Sequence, residues 1–116
     1  MFVCVTNESK GRVLASHVRV AESLWVRSWG LLGAASLPAG EGLWLKPCRS
    51  IHTLFMRFTI DALFIDKEGV VVHAVTMAPW RMSRWISKAA GVVELAGGTL
   101  ERTRTVVGDQ ISIKPV

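Results

Sequence analysis

The chain has 116 residues, half of them apolar and a fifth charged, which excludes general disorder and allows one core to form without disulfides or metal. Lys and Arg outnumber Asp and Glu by 14 to 9, a net charge of +5; the sign permits an anionic partner, but no run of consecutive bases marks a basic tail. No apolar run approaches the roughly 18–20 residues of a membrane span.

In chain order, residues 2–6 alternate around Val and Cys and read as a strand. Turn residues follow at 7–11, and 12–15 forms the return strand, with 17–20 extending the sheet. The period then changes. Ala21, Leu24, Trp25, Trp29 and Leu32 share one face of a helix over 21–32, with Gly30 or Gly33 to end it. Both tryptophans read as core anchors. Residues 37–42 are a loop by composition, 42–45 a short strand, and 47–57 has no clean period.

Residues 60–66 and 70–77 flank the Asp66-Lys-Glu-Gly69 turn and form the clearest hairpin in the chain. Residues 78–90 are a long connection bearing Trp and Arg. A strand at 91–95 holds Glu94. A short helix at 99–105 follows Gly97-Gly98, Val107-Gly-Asp109 is a turn, and 110–114 closes the sheet. Many short strands with two short helices predict a single mainly β domain over 1–116, an antiparallel barrel or sandwich. No Gly-rich phosphate loop is present.

Charge is uneven along the chain. Residues 1–60 hold seven bases and three acids, 61–80 one and three, and 81–104 five and two. The cysteines, Cys4 and Cys48, are too few for a disulfide framework. The first residues lack the basic and apolar regions of a signal peptide, so the expectation is a cytoplasmic protein with reduced thiols.

Several segments together point to a family. They are Trp29-Gly-Leu-Leu-Gly33 after the amphipathic stretch, the long segment from Gly42 through Cys48, His52 and Asp61 to Asp66, Ala78-Pro-Trp-Arg81, Val93-Glu-Leu95, Gly97-Gly98-Thr99 and Val107-Gly-Asp109. In this order they resemble the domain-of-unknown-function family 192 over nearly the whole chain. Two positions depart from its pattern. Thr59 stands where Pro is usual before an Ile-Asp pair, which loosens the backbone before Asp61. Ala34 stands where a base often follows the Gly-Leu-Leu-Gly segment. The resemblance implies a compact β-rich domain and supplies no reaction.

Three constellations carry candidate chemistry. Cys48 and His52 are four apart, a spacing that suits a nucleophile and its base or two ligands of a metal. A buried small hydrophobe and a half-buried histidine are the bland alternative, and neither metal nor cofactor is expected. Asp61 interrupts an apolar strand and must be solvated, paired or hydrogen-bonded, with Arg49 and Arg57 the nearby partners. Asp66 caps its own turn. Glu94 points away from Val93 and Leu95, to solvent or a pocket, and a paired-carboxylate site with Asp61 would suit acid–base work. The segment Pro79-Trp-Arg-Met-Ser-Arg-Trp85 places two Trp and two Arg in a connection, the composition of a binding hot spot.

The expected function is therefore a small-ligand-binding module rather than an enzyme. Its pocket lies near segments 48–61 and 79–85, with His52, Arg57, Asp61, Trp80, Arg81 and Glu94 as ligand-binding candidates and a saccharide or other small polar molecule as ligand. The alternative is a hydrolase using His52 with Asp61 or Cys48. Nucleic-acid binding through the basic surface ranks below both, because the bases are scattered.

Overall fold

A computed structural model describes residues 1–21 and 35–116. The helix expected over 21–32, with Trp25 and Trp29, lies outside the described residues except for Ala21, which ends a strand. Among the described residues there are seven strands and one short helix. The strands are β1 (Phe2–Asn7), β2 (Arg12–Ala21), β3 (Glu41–Leu45), β4 (Ile60–Ile65), β5 (Val71–Met77), β6 (Gly91–Ala96) and β7 (Ile111–Pro115), and the helix is α1 (Thr99–Thr103). The mainly β fold holds, as a curled half-barrel. The helix stops two residues earlier than its pattern suggests because Arg104 turns left-handed (φ 55°) and returns its amide to the α1 carbonyls.

All seven strands lie in one sheet, in the order β5-β4-β6-β3-β2-β1-β7. Five pairings are antiparallel, and β2 with β3 is parallel. The sheet is thus mainly antiparallel, as expected, and that one pair makes it mixed. Alternation of apolar residues specifies which face a strand buries, not which neighbour it takes. The stretch between β2 and β3 has the dozen or more residues that a parallel crossover needs.

The sheet curls until its two edge strands meet at one end. Val70 bridges Gln110, and the amides of Val71 and Ile111 donate to Asp109 O (2.9 Å) and Gly69 O (2.8 Å). The β4–β5 turn leads into that junction. Asp66 Oδ1 accepts the amides of Glu68 and Val70, both at 2.9 Å, and Gly69 takes φ +82°.

Curling creates two apolar layers. Val5, Val18, Leu63, Val93, Leu95 and Ile111 fill the concave side. Leu43, Ile60, Ala62, Phe64 and Val92 line the convex side, where Cys48, Ile51, Met56 and Ala89 from the two long connections cover them. β4 and β6 are buried on both faces. This accounts for their near-continuous apolar sequence and makes Asp61 and Glu94 exceptional.

Candidate functional site

The convex side is covered by two connections, residues 46–59 and 78–90. Neither has a regular period, because they are held by specific hydrogen bonds rather than by a repeating face. Thr53 is the hub. Its hydroxyl donates to Ala78 O (2.6 Å) and accepts the Arg81 amide (2.8 Å), its amide donates to Arg81 O (2.8 Å), and its carbonyl accepts the Trp80 amide (2.9 Å). Ser83 and Ile86 donate their amides to Ile51 O and Arg49 O, both at 2.9 Å, and Ser83 Oγ accepts the Ile51 amide at 2.9 Å. The two connections are thus laced along 49–53 and 80–86. Ile51 and Thr53 are buried while His52 between them is exposed. This alternation turns His52 and its bridge partner Met82 outward.

Residues at that outer surface keep specific geometries. Phe55 and Trp80 both adopt positive φ (67° and 63°), and their rings meet at 4.6 Å and 58°. Positive φ is uncommon for bulky L residues and tends to be found where function constrains the chain. His52 Nδ1 accepts the Leu54 amide (3.2 Å), so the neutral ring carries its proton on Nε2. Arg57, Arg81 and Arg84 are exposed. Beside them runs a groove of about 400 Å³ between β5 and the loop 78–84, lined by His73, Thr76, Met77, Arg81, Ser83 and Arg84 among others.

The structure does not bring the remaining sequence candidates to this surface. Asp61 is fully buried on the concave side, where its Oδ1 accepts from Thr76 Oγ1 (2.7 Å) and its Oδ2 from the Leu100 amide (2.8 Å). The expected pairing with Arg49 or Arg57 does not form. A hydroxyl and the first turn of α1 satisfy the carboxylate instead, and Arg49 Nε donates to Ser87 O (3.2 Å). Glu94 pairs in register with Ala62, and Asp61 with Leu95. The two carboxylates therefore point to opposite faces of the sheet, and a paired-carboxylate site cannot form. Glu94 lies in the convex layer, where burial raises its carboxyl to about 7.

Cys48 is buried and its thiol donates to Ser50 O (3.1 Å), while His52 faces outward. Asp61 is on the far side of the sheet from His52. The partnerships that a His52-based hydrolase requires are therefore not assembled. Among the described residues no three His, Cys, Asp or Glu side chains come together as metal ligands.

Sequence reasoning missed Thr53 and Phe55. A threonine in an aperiodic segment gives no sign of the bonds it makes to a distant segment, and nothing in a sequence marks a phenylalanine for positive φ. It also missed a buried polar network under the β1–β2 turn. Asn7 Nδ2 donates to Asp109 Oδ2 (2.9 Å) and Thr105 Oγ1 (3.0 Å), and Lys10 Nζ pairs with Asp109 at 2.8 Å. Burial opposes ionisation of Asp109, but hydrogen bonds from Lys10, Asn7 and the Val106 amide outweigh it and hold its carboxyl below the ordinary value.

A family model described as uncharacterized ACR, the domain-of-unknown-function family 192, matches residues 5–113. The chain is similar to a UPF0127 protein of Pyrococcus horikoshii, with 31% identity over 92% of this chain and 96% of the relative. A UPF0127 protein of Pyrococcus furiosus is 30% identical over 90% and 93%. Among solved structures, a protein of unknown function from Novosphingobium aromaticivorans shares the fold, with a TM-score of 0.81 at 21% identity over 97% of this chain and 84% of that one.

Proposed function

The chain belongs to domain-of-unknown-function family 192, and we propose that in this member β5 and the connection that follows it form a binding site for a small anionic ligand. The observation that carries this reading is the pair of arginines, Arg81 and Arg84, on the wall of the groove beside β5. At about 400 Å³ the groove has the size of a small-molecule site, roughly 300–1,000 Å³. Its other walls suit a compact ligand with one charged end. Met77 and Val75 offer apolar contact, and His73 offers a ring nitrogen. None of the described residues that line it is acidic, so guanidinium groups meet a carboxylate or phosphate without a competing carboxylate on the same wall. The backbone that presents Arg81 is fixed on both sides by Thr53, which reduces the ordering required on binding.

Calorimetric titration with a sugar phosphate, a nucleotide and the parent uncharged sugar tests this reading. The anionic compounds are expected to bind and the uncharged sugar to bind much more weakly. Arg81→Ala or Arg84→Ala should weaken binding at least about tenfold, since a charge-assisted hydrogen bond is worth roughly 1.5–3 kcal/mol. Equal binding of the uncharged sugar would show that the arginines do not select the ligand, and heat from none of the three would remove the groove as their site.

A further inference from the structure

The outward face of the laced connections displays a second feature, of which only Met82 also lines the groove. Phe55, Trp80, Met82 and Trp85 are 64%, 54%, 76% and 68% exposed. Such side chains scattered singly need no explanation, but four exposed on two laced segments, two of them with their rings in contact, mark a contact surface. Phe55 and Trp80 are held there in left-handed backbone geometry, against each other.

Charge gives the partner's sign. Connections 46–59 and 78–90 contain Lys46, Arg49, Arg57, Arg81, Arg84 and Lys88 and no Asp or Glu, and all six bases are exposed. The positive charge of the molecule is therefore concentrated where its large apolar side chains protrude.

The geometry points to a peripheral docking surface for an anionic lipid bilayer, which shares Arg81, Met82 and Arg84 with the groove but does not depend on what the groove binds. A bilayer interface accepts aromatic rings at headgroup depth in any orientation while flanking basic side chains reach the lipid phosphates. The details fit that partner better than single-stranded nucleic acid. Phe55 crosses Trp80 at 58° instead of extending a flat stacking platform, and Met82, the most exposed of the four, has no ring to stack.

Co-sedimentation with vesicles of phosphatidylcholine alone, and of phosphatidylcholine mixed with phosphatidylglycerol, tests the proposal on the full chain. The protein should partition onto the anionic vesicles, less so at high salt, and its tryptophan emission should shift to the blue. Binding to neutral vesicles should be much weaker. The double variant Phe55→Ser/Trp85→Ser should lose most of the partitioning. Arg57→Glu with Lys88→Glu, at exposed positions where folding is not at stake, should weaken it by roughly fivefold per charge removed. None of these four residues lines the groove, so small-ligand titration of the same variants reports separately on the arginine pair. The proposal is overturned by no partitioning onto anionic vesicles, by partitioning that both variant pairs leave unchanged, by tighter binding to short single-stranded DNA, or by release from vesicles with soluble glycerol phosphate alone.

Discussion

Asp61 and Glu94 sit one register position apart on adjacent strands, and the sheet separates their chemistry. Asp61 faces the concave side and is satisfied by Thr76 and the Leu100 amide, so it fastens α1 to the sheet. Glu94 faces the convex layer, and burial raises its carboxyl from 4.5 to about 7. The sign of its effect on stability follows. Below pH 4.5 both folded and unfolded chains hold the proton, so the group is neutral in its effect. As pH rises toward 7 the unfolded chain ionises first, and stability falls. Above 7 the loss is complete, on the order of 3 kcal/mol at about 1.4 kcal/mol per pKa unit. Urea denaturation of Glu94→Gln across this range should show the decline removed, leaving the variant more stable than wild type at pH 8 and near it at pH 4. Parallel curves for the two proteins would mean that Glu94 does not carry this dependence. Asp109 acts with the opposite sign. Its lowered carboxyl contributes stability above the ordinary aspartate value, lost as pH falls through the folded value, so the two windows do not overlap.

At the scale of elements, the connection 46–59 and the connection 78–90 act as one unit because Thr53 joins them. Thr53→Val keeps the shape but removes the donor to Ala78 O and the acceptor for the Arg81 amide. Leaving these groups unsatisfied should cost about 2–4 kcal/mol locally. Amide exchange should quicken at Trp80, Arg81 and Ser83 while the β1–β2 ladder keeps its protection. An equal loss at β1–β2 would show that the connections are not a separable unit. Thr53 also marks the limit of what the sequence discloses. The hairpin of β4 and β5 was legible because two apolar runs flank the Asp66–Gly69 turn, and the Trp80–Trp85 segment was legible as a surface by composition. The lacing was not, since it rests on bonds between residues far apart in the chain, among them a hydroxyl whose partners lie 25 and 28 residues away. Nor was the place of Asp61. An acid inside an apolar strand announces that it has a partner, but Thr76 and a helix amide are fixed only by the register of β4 with β5 and by where α1 docks.

At the scale of the whole molecule, the half-barrel is held curled where the starts of β5 and β7 meet, and Gly69 lies at that junction. Its carbonyl accepts the Ile111 amide, and a Cβ at this position would come within 2.6 Å of Ile111 O. Its φ of +82° adds a backbone penalty for any other residue. The two contributions can be separated because Gly11, in the β1–β2 turn, also has positive φ (+63°) but open space for at least 4 Å around the position a Cβ would take. Gly11→Ala should therefore cost only the left-handed penalty, about 1–2 kcal/mol. Gly69→Ala should cost that and the junction as well, because backbone carbonyl oxygen cannot move aside as a flexible side chain would. Urea denaturation of the two variants gives the difference, and exchange of the Val71 and Ile111 amides shows where it arises. A larger loss at Gly69 with faster exchange at both amides makes the junction the latch of the curl. Equal losses would place the closure in the packing of the concave layer, where Val5, Val18, Leu63 and Ile111 already draw the outer strands together.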